Sequence, residues 1–592
     1  MGAMGSWLRL TVLVAIVGCA HHGGSGDDDL TGATLTLDPP SVELVLTNGV
    51  AVRQAYTATL TLANGHTRDV TADTLFSIDS AYGQFAANSV TVGIGGKAQV
   101  FGSYLDKTGT ADLIARVKTV RIDPSLPPNT PAVFDHPDTA GLAPVVVYPP
   151  AGVIIPRNLG DFEVHWTDAH SQDVFELTLH TEFSDVKVYA KGGNGLPAAG
   201  PHASWLAMQV NDWFTAIGAA ASVSLQLRGA TTATGVVGGA PAQTVTLSHE
   251  EMNGGLYYWA TQQVATNAAS GIYRHDMARP QEAAEAFISV PAGGTCVGCH
   301  VLSRDGTKMG LTYEGNDGPA KMIDVGPKTL TDSANKWNFG TFTPDAKQML
   351  VVEDGTLSVL DVAGIGTAQP VATLDYPDWV AHPDLSPDGK QLVFATNPFA
   401  NHDIDFPSGD IMIASYDQAT HKFGAPRALV ADGKSNFYPS WSPDGQWILF
   451  NKAPNNSTSY DNPAATTWVV RADGSKPAVQ LATADRAAGL TNSWPRWAPF
   501  PQTLGTTSEQ MWWVTFSSKR DFGVRLDNAR RVYQRPSDGM PAKLAQIWMT
   551  PFFPGRADAG AEPSGPAFRL PFQDLVTSNH IPQWTEKVVV IQ

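Results

Sequence analysis

The chain has 592 residues, 43% of them hydrophobic, and only three cysteines; this length exceeds one hydrophobic core, so several domains are expected. A formal net charge of -17, with no basic run interleaved with aromatics, excludes nucleic acid as a partner. Fifty-five Gly, 42 Pro and 16 Trp, with few helix-period stretches, predict an all-β chain of short strands and tight turns.

The first 19 residues read as an export signal. Arg9 is the sole charge, the apolar run reaches Val17, and Ile16-Val17-Gly18-Cys19 closes it. The run is too short to span a bilayer comfortably. It resembles a bacterial lipobox, which implies diacylglycerol attachment at Cys19, a membrane anchor there and cleavage before that residue; a plain signal peptide is the alternative. Residues 20–33 form a polar tether, and Ala20 directly after the cysteine leans towards the outer membrane under the sorting rule. Export puts the remaining two cysteines in an oxidising compartment.

Residues 34–122 predict a strand domain. Tyr56 to Leu62 alternates, Asn64-Gly65 supplies a hairpin turn, and Arg68 to Thr71 resumes extended chain. "LTLDPPSVEL", "YTATLTLANGHTRDVT" and "GTADLIARV" resemble the bacterial Ig-like domain of surface proteins, which implies a spacer or adhesive module. Residues 123–142 are a Pro-rich linker. Residues 143–248 predict a second β-sandwich, because Phe162 to Trp166 and Val174 to Leu179 alternate; it resembles a fibronectin type III or Ig-like fold. Trp166 is expected in its core and His165, on the other face, in solvent.

From residue 249 to 592 the chain repeats. Ser303-Arg-Asp-Gly306, Thr343-Pro-Asp-Ala346, Ser386-Pro-Asp-Gly389 and Ser442-Pro-Asp-Gly445 each precede an apolar strand. Proline presets φ, the aspartate caps the turn and glycine accepts the left-handed position. Such repeats predict propeller blades. "YPSWSPDGQWILF" and "HPDLSPDGKQLVF" resemble the TolB-like propeller family. Degenerate copies around Pro495 and Pro582 bring the strand starts to six, so a six-bladed ring is expected, with Leu256 to Ile288 and the last strand completing one blade. Gly555 to Pro566 is expected to be a mobile insertion.

Aligning the six copies places Cys299, Phe339, His382, Tyr438, Trp494 and Ile581 in one column. His300 falls in the next, where the other copies have Gly340, Pro383, Pro439, Pro495 and Pro582; His580 lies one column before Ile581. These residues are expected at the mouth of the central channel, with Phe339, Tyr438 and Trp494 as binding aromatics.

Cys296-Val-Gly-Cys299-His300 has the C-x-x-C-H spacing of haem c attachment, in which two thiols form thioethers and the histidine ligates the iron. On that reading Cys296 and Cys299 anchor a haem, His300 is the metal ligand, and His382 or His580 is a distal candidate. Electron transfer with a redox partner, or small-ligand sensing, would follow. The alternative is a Cys296–Cys299 disulfide in a haem-free scaffold that binds an envelope protein or glycan. Zinc on the two thiols and His300 would need a further ligand from elsewhere. No catalytic residue emerges: G-x-S-x-G and a phosphate loop are missing from the sequence, which disfavours a hydrolase. Asn401, Asp403, Asp405 and Asp410 lack EF-hand spacing and read as a solvated acidic loop.

Overall fold

The structure is a computed structural model that describes residues 30–196, 202–262, 270–290, 296–314, 318–399, 405–486, 489–505, 507–528, 533–534 and 541–591. Cys19, the export segment, and Asn401 and Asp403 of the acidic loop lie outside the described residues. Among those described, no helix is long and apolar enough to cross a membrane.

The chain divides into two compact units. The smaller comprises residues up to Val42, Arg53–Thr91 and Ala98–Leu113. Its strands Thr34–Asp38, Thr57–Thr61 and Thr67–Asp69 form an antiparallel sheet. Leu35, Leu37, Ala58 and Leu60 alternate inward and are buried, the period of two that a half-buried strand requires. The turn at Asn64-Gly65 forms as expected: Gly65 has φ 83° and the His66 N–H donates to Asn64 Oδ1 at 3.0 Å.

The larger unit takes Glu43–Val52, Val92–Lys97 and everything from Ile114. Its first part is a sheet with the order Ile154–Ile155, Gln243–Leu247, Ser222–Thr231, Val174–Thr181 and Ser184–Lys191. Residues from Val117 of the strand Lys107–Ile122 run parallel to Ser184–Tyr189 and extend it. A second sheet joins Val145–Tyr148, Glu163–Thr167 and Ala203–Ala207. Trp166 is buried, as the alternation predicts. The helix Val210–Ile217 turns Trp213 inward to stack on Phe162, ring centroids 4.2 Å apart. The Pro-rich stretch is laid down rather than spanning free space: its 3-10 helix Thr130–Asp135 buries Phe134 against Tyr189.

His165 departs from expectation. It is fully buried, because the face that a lone sandwich would give to water is covered by residues 522–525. Its Nε2 bonds Glu163 at 2.8 Å and its Nδ1 accepts the Val524 N–H at 3.3 Å. Burial holds the imidazole below its ordinary pKa. One continuous core runs from Trp166 and Trp213 into Trp513, Phe522 and Phe568.

The rest is a β-propeller of antiparallel sheets. Five sheets follow in chain order, with first strands Val297–Leu302, Phe339–Phe342, Trp379–Leu385, Ser435–Trp441 and Ser493–Trp497. A sixth combines Glu285–Ser289, Gly271–Asp276 and Gly255–Gln262 with the final strand Thr577–Thr585. Each first strand packs on the next, and Thr577–Thr585 packs on both Ser493–Trp497 and Val297–Leu302. The contacts among these six strands thus run in a closed cycle, and the pairing of Thr577–Thr585 with Gly255–Gln262 completes the sixth sheet. The stretch expected to be mobile is pinned instead. Its helix Pro554–Asp558 ties Arg556 to Glu509 and Asp558 to Arg471 and Lys476.

Candidate functional site

The turn tetrapeptide fixes one end of each repeated blade. In Ser303-Arg-Asp-Gly306 the serine hydroxyl donates to Asp305 Oδ1 at 2.7 Å, while the Gly306 N–H returns to Ser303 O at 2.9 Å. The same serine oxygen accepts the Lys308 N–H at 3.0 Å, which starts the next strand. Thr343, Ser386 and Ser442 repeat this arrangement. Because these bonds are local, they register the first strand of each sheet on its second.

At the other end, five of the six innermost strands carry the same irregularity. Cys299, His382, Tyr438, Trp494 and Ile581 all have positive φ, between 44° and 53°. Each sits at a shift in ladder register, a β-bulge. These are five members of the aligned column; the sixth, Phe339, pairs regularly with Val352. The bulges also account for the prolines in the next column. A bulged residue leaves the ladder, so a residue without an N–H is tolerated there.

The bulges turn side chains into a belt. Ring centroids are 4.5 Å apart for Phe339–His382, 4.2 Å for His382–Tyr438, 4.9 Å for Tyr438–Trp494 and 5.7 Å for Trp494–His580. His580 in turn faces Trp259 at 5.7 Å, and a Cβ added to Gly298 would stand 3.4 Å from the Trp259 indole. The belt thus starts in the second sheet and ends against the C-x-x-C-H strand. His382, Tyr438, Trp494, Ile581 and His580 are all buried. They stack across the channel at this level instead of standing open as a funnel.

Cys296 and Cys299 are thiols, each partly buried. Both lie within electrostatic reach of the Tyr460 phenol, whose pKa burial raises, and burial beside Glu314 raises that of Cys296. His300 is 2% exposed. Neither ring nitrogen makes a well-formed hydrogen bond, although the Tyr257 backbone lies beside it. Burial pulls its pKa down to about 3, so the imidazole is neutral in ordinary conditions. Burial likewise lowers His580 to about 4 and pushes His382 well down. His382 Nδ1 accepts the Tyr438 N–H at 3.3 Å, which assigns its proton to Nε2. In that tautomer Nε2 has no lone pair for a metal. His580 bonds Ser578 through Nε2 at 2.8 Å and leaves Nδ1 without a partner. Among the described residues no group of three His, Cys, Asp or Glu is gathered closely enough to hold an ion.

Sequence reasoning missed Trp259, Tyr460 and Arg496. The column after the prolines reads Val301, Thr341, Asp384, Ser440, Arg496 and Gln583, and carrying the alignment one step further would have exposed Arg496. Tyr460 belongs to no repeat and left no signal.

No family model matches the chain, and no curated protein matches it. Among solved structures, a putative TolB from Agrobacterium tumefaciens is similar over 57% of this chain and 99% of its own, at 15% identity and a TM-score of 0.30. A nidogen/laminin complex is similar over 57% of this chain and 100% of that one, at 9% identity and a TM-score of 0.33. Likeness at this level says nothing of what the chain does; the propeller rests on its own sheet order.

Proposed function

We propose that the chain is a cell-envelope lipoprotein, anchored through Cys19 in the outer membrane, whose six sheets are the blades of a closed TolB-like ring behind two Ig-like or fibronectin-like sandwich modules. Its first blade carries one haem c. Cys296 and Cys299 hold the group covalently, and His300 takes the iron. The observation that carries this reading is the state of the three donors: two thiols and a neutral, buried imidazole with no well-formed hydrogen bond among the described residues, Cys296 just before the strand Val297–Leu302 and the other two on it. A bare ion would need all three donors to converge, whereas a haem takes only the imidazole at its iron and both thiols at its edge. That donor chemistry fits. Bound there, a haem supplies one-electron transfer or an open position for a small ligand.

The surrounding residues have definite tasks on this reading. Trp259, Tyr438, Tyr460 and Trp494 supply apolar walls beside the thiols. The left-handed bulge at Cys299 sets the direction of its sulfur. His580, through Nδ1, is the better distal candidate, because His382 spends its lone pair on the Tyr438 N–H.

A second reading is favoured by the enclosure of His300. With the imidazole packed at 2% exposure, Cys296 and Cys299 form a disulfide and the propeller is a haem-free scaffold for an envelope protein or glycan. Export in a host with c-type cytochrome maturation decides between them. Covalent haem stain on a denaturing gel and a Soret band are expected, with the stain lost in the Cys296→Ser/Cys299→Ser double variant. A stain-free protein, lighter than its reduced form by two hydrogens, overturns the haem reading and leaves the disulfide.

A further inference from the structure

On the far side of the aromatic belt, towards the turn tetrapeptides, the channel holds a cavity of about 210 Å³. All six innermost strands line it. Its chemistry is uneven. Trp441, Trp497 and Trp584 give apolar walls, Ser440 and Gln583 give neutral polar groups, and Arg496 gives a guanidinium.

Arg496 is the anomaly. It stands inside the channel, and among the described residues its guanidinium makes one hydrogen bond, from Nη1 to the carbonyl of Pro495 on its own strand, at 3.0 Å. A guanidinium carries five N–H donors, so most of this one's capacity is unspent. Asp384 is the nearby carboxylate, but both its oxygens are already engaged, Oδ1 by the Thr341 hydroxyl at 3.2 Å and Oδ2 by the Trp441 N–H at 2.7 Å. No ion pair joins Asp384 to Arg496 among the described residues. The buried arginines elsewhere have several partners or an ion pair: Arg274 pairs with Glu285, while Arg520 and Arg569, with no ion pair among the described residues, donate to Ser518 and Asn492 and to Gln546, Pro571 and Gln573 respectively. A cation withdrawn from water without such a partner is costly.

We infer that the cavity is a binding site for a small organic monocarboxylate, its carboxylate forked on Arg496 and its carbon part against the tryptophans. The planar fork matches two carboxylate oxygens. The lining also holds Arg304, whose Nη2 donates to the Leu385 carbonyl at 3.2 Å, and the Glu586 carboxylate, and a single acid group is what the fork of Arg496 takes. A cavity of about 210 Å³ has room for a small organic acid. The proposal does not rest on the haem reading, since the cavity is lined by none of the side chains assigned to the haem, although Arg496 lies within electrostatic reach of His300 and His382.

The test uses the full-length mature protein with propionate, propionamide and inorganic phosphate as probes, followed by tryptophan fluorescence and calorimetry. Propionate is expected to bind saturably at a single site. Propionamide, of the same shape but without charge, should bind at least about tenfold more weakly, the loss of a charge-assisted hydrogen bond. Arg496→Gln should weaken propionate by a similar factor while leaving the thermal melt cooperative. Should that variant fail to fold, Arg496→Lys keeps the charge without the fork, and the carboxylate-against-amide comparison on the unaltered protein still decides. Equal binding of acid and amide, phosphate binding in preference to propionate, or no saturation by propionate up to about 10 mM would each overturn the assignment.

Discussion

His275 shows how a buried imidazole ties stability to pH. It lies flat on Phe572, centroids 3.9 Å apart, and is 3% exposed. Burial pulls its pKa down to about 4. An unfolded chain titrates histidine near 6.5, so between 6.5 and 4 the unfolded state takes up the proton first. Stability from this residue is complete above pH 6.5 and drains as the pH falls towards 4, at ~1.4 kcal/mol per pH unit. Asp485 works in the opposite sense. Burial raises its carboxyl to about 6, so the folded chain holds that proton more tightly and gains stability as the pH falls from 6 towards the usual carboxylate range. Chemical denaturation at pH 7 and pH 5 should show a net loss for the native sequence. His275→Phe, which keeps the stack and removes the titration, should lose ~2 kcal/mol less over that interval. An unchanged pH slope in the variant would remove His275 from the account.

The turn tetrapeptides allow a sharper comparison, because one copy breaks the rule. Gly306, Gly389 and Gly445 sit at φ near 70°, and Ala346 occupies the same place at φ 55°. A side chain in the left-handed region costs roughly 1–2 kcal/mol, partly offset by the smaller backbone entropy that alanine loses on folding. Ala346→Gly should therefore stabilise the protein by roughly 0.5 kcal/mol, and Gly389→Ala should cost about 1 kcal/mol, both read as shifts in the denaturation midpoint. These turns were legible in the sequence because their chemistry is local: hydroxyl, carboxylate and glycine stand within four residues. The bulges opposite them were not. Apart from His382, the residues Cys299, Tyr438, Trp494 and Ile581 are not types that announce a left-handed backbone, and the proline after four of the five marked the position. Alignment thus found the column, while the conformation that makes it a belt, and the burial that closes it, came from packing between sheets.

At the scale of the whole chain, pairing is dominated by contacts far apart in sequence. Thr577–Thr585 lies against Gly255–Gln262, more than three hundred residues earlier, with Ala260 opposite Asn579. Such closure is slow, because the loop entropy is spent before the contact forms. Ending the chain at Val576 should expose the edge of Gly255–Gln262 and open the cycle, so a cooperative thermal transition should give way to aggregation, visible by calorimetry and light scattering. A truncated protein that still melts as one monomeric unit would show that the ring does not depend on its last strand. The repeats announced the propeller, but nothing in them announced that the sheets between Val145 and Leu247 share their core with the fifth sheet. His165 meets Val524 across 359 residues, and alternation within one strand cannot say what will cover its outer face.

The closing strand also gives the molecule a clock. Synthesis runs from the amino end, so Cys296, Cys299 and His300 exist well before Thr577–Thr585 is there to seal the sixth sheet. The enclosure that leaves His300 only 2% exposed belongs to the finished ring, not to the growing chain. Access to that imidazole is open in the interval before the last nine-residue strand arrives, and closes once that strand has docked.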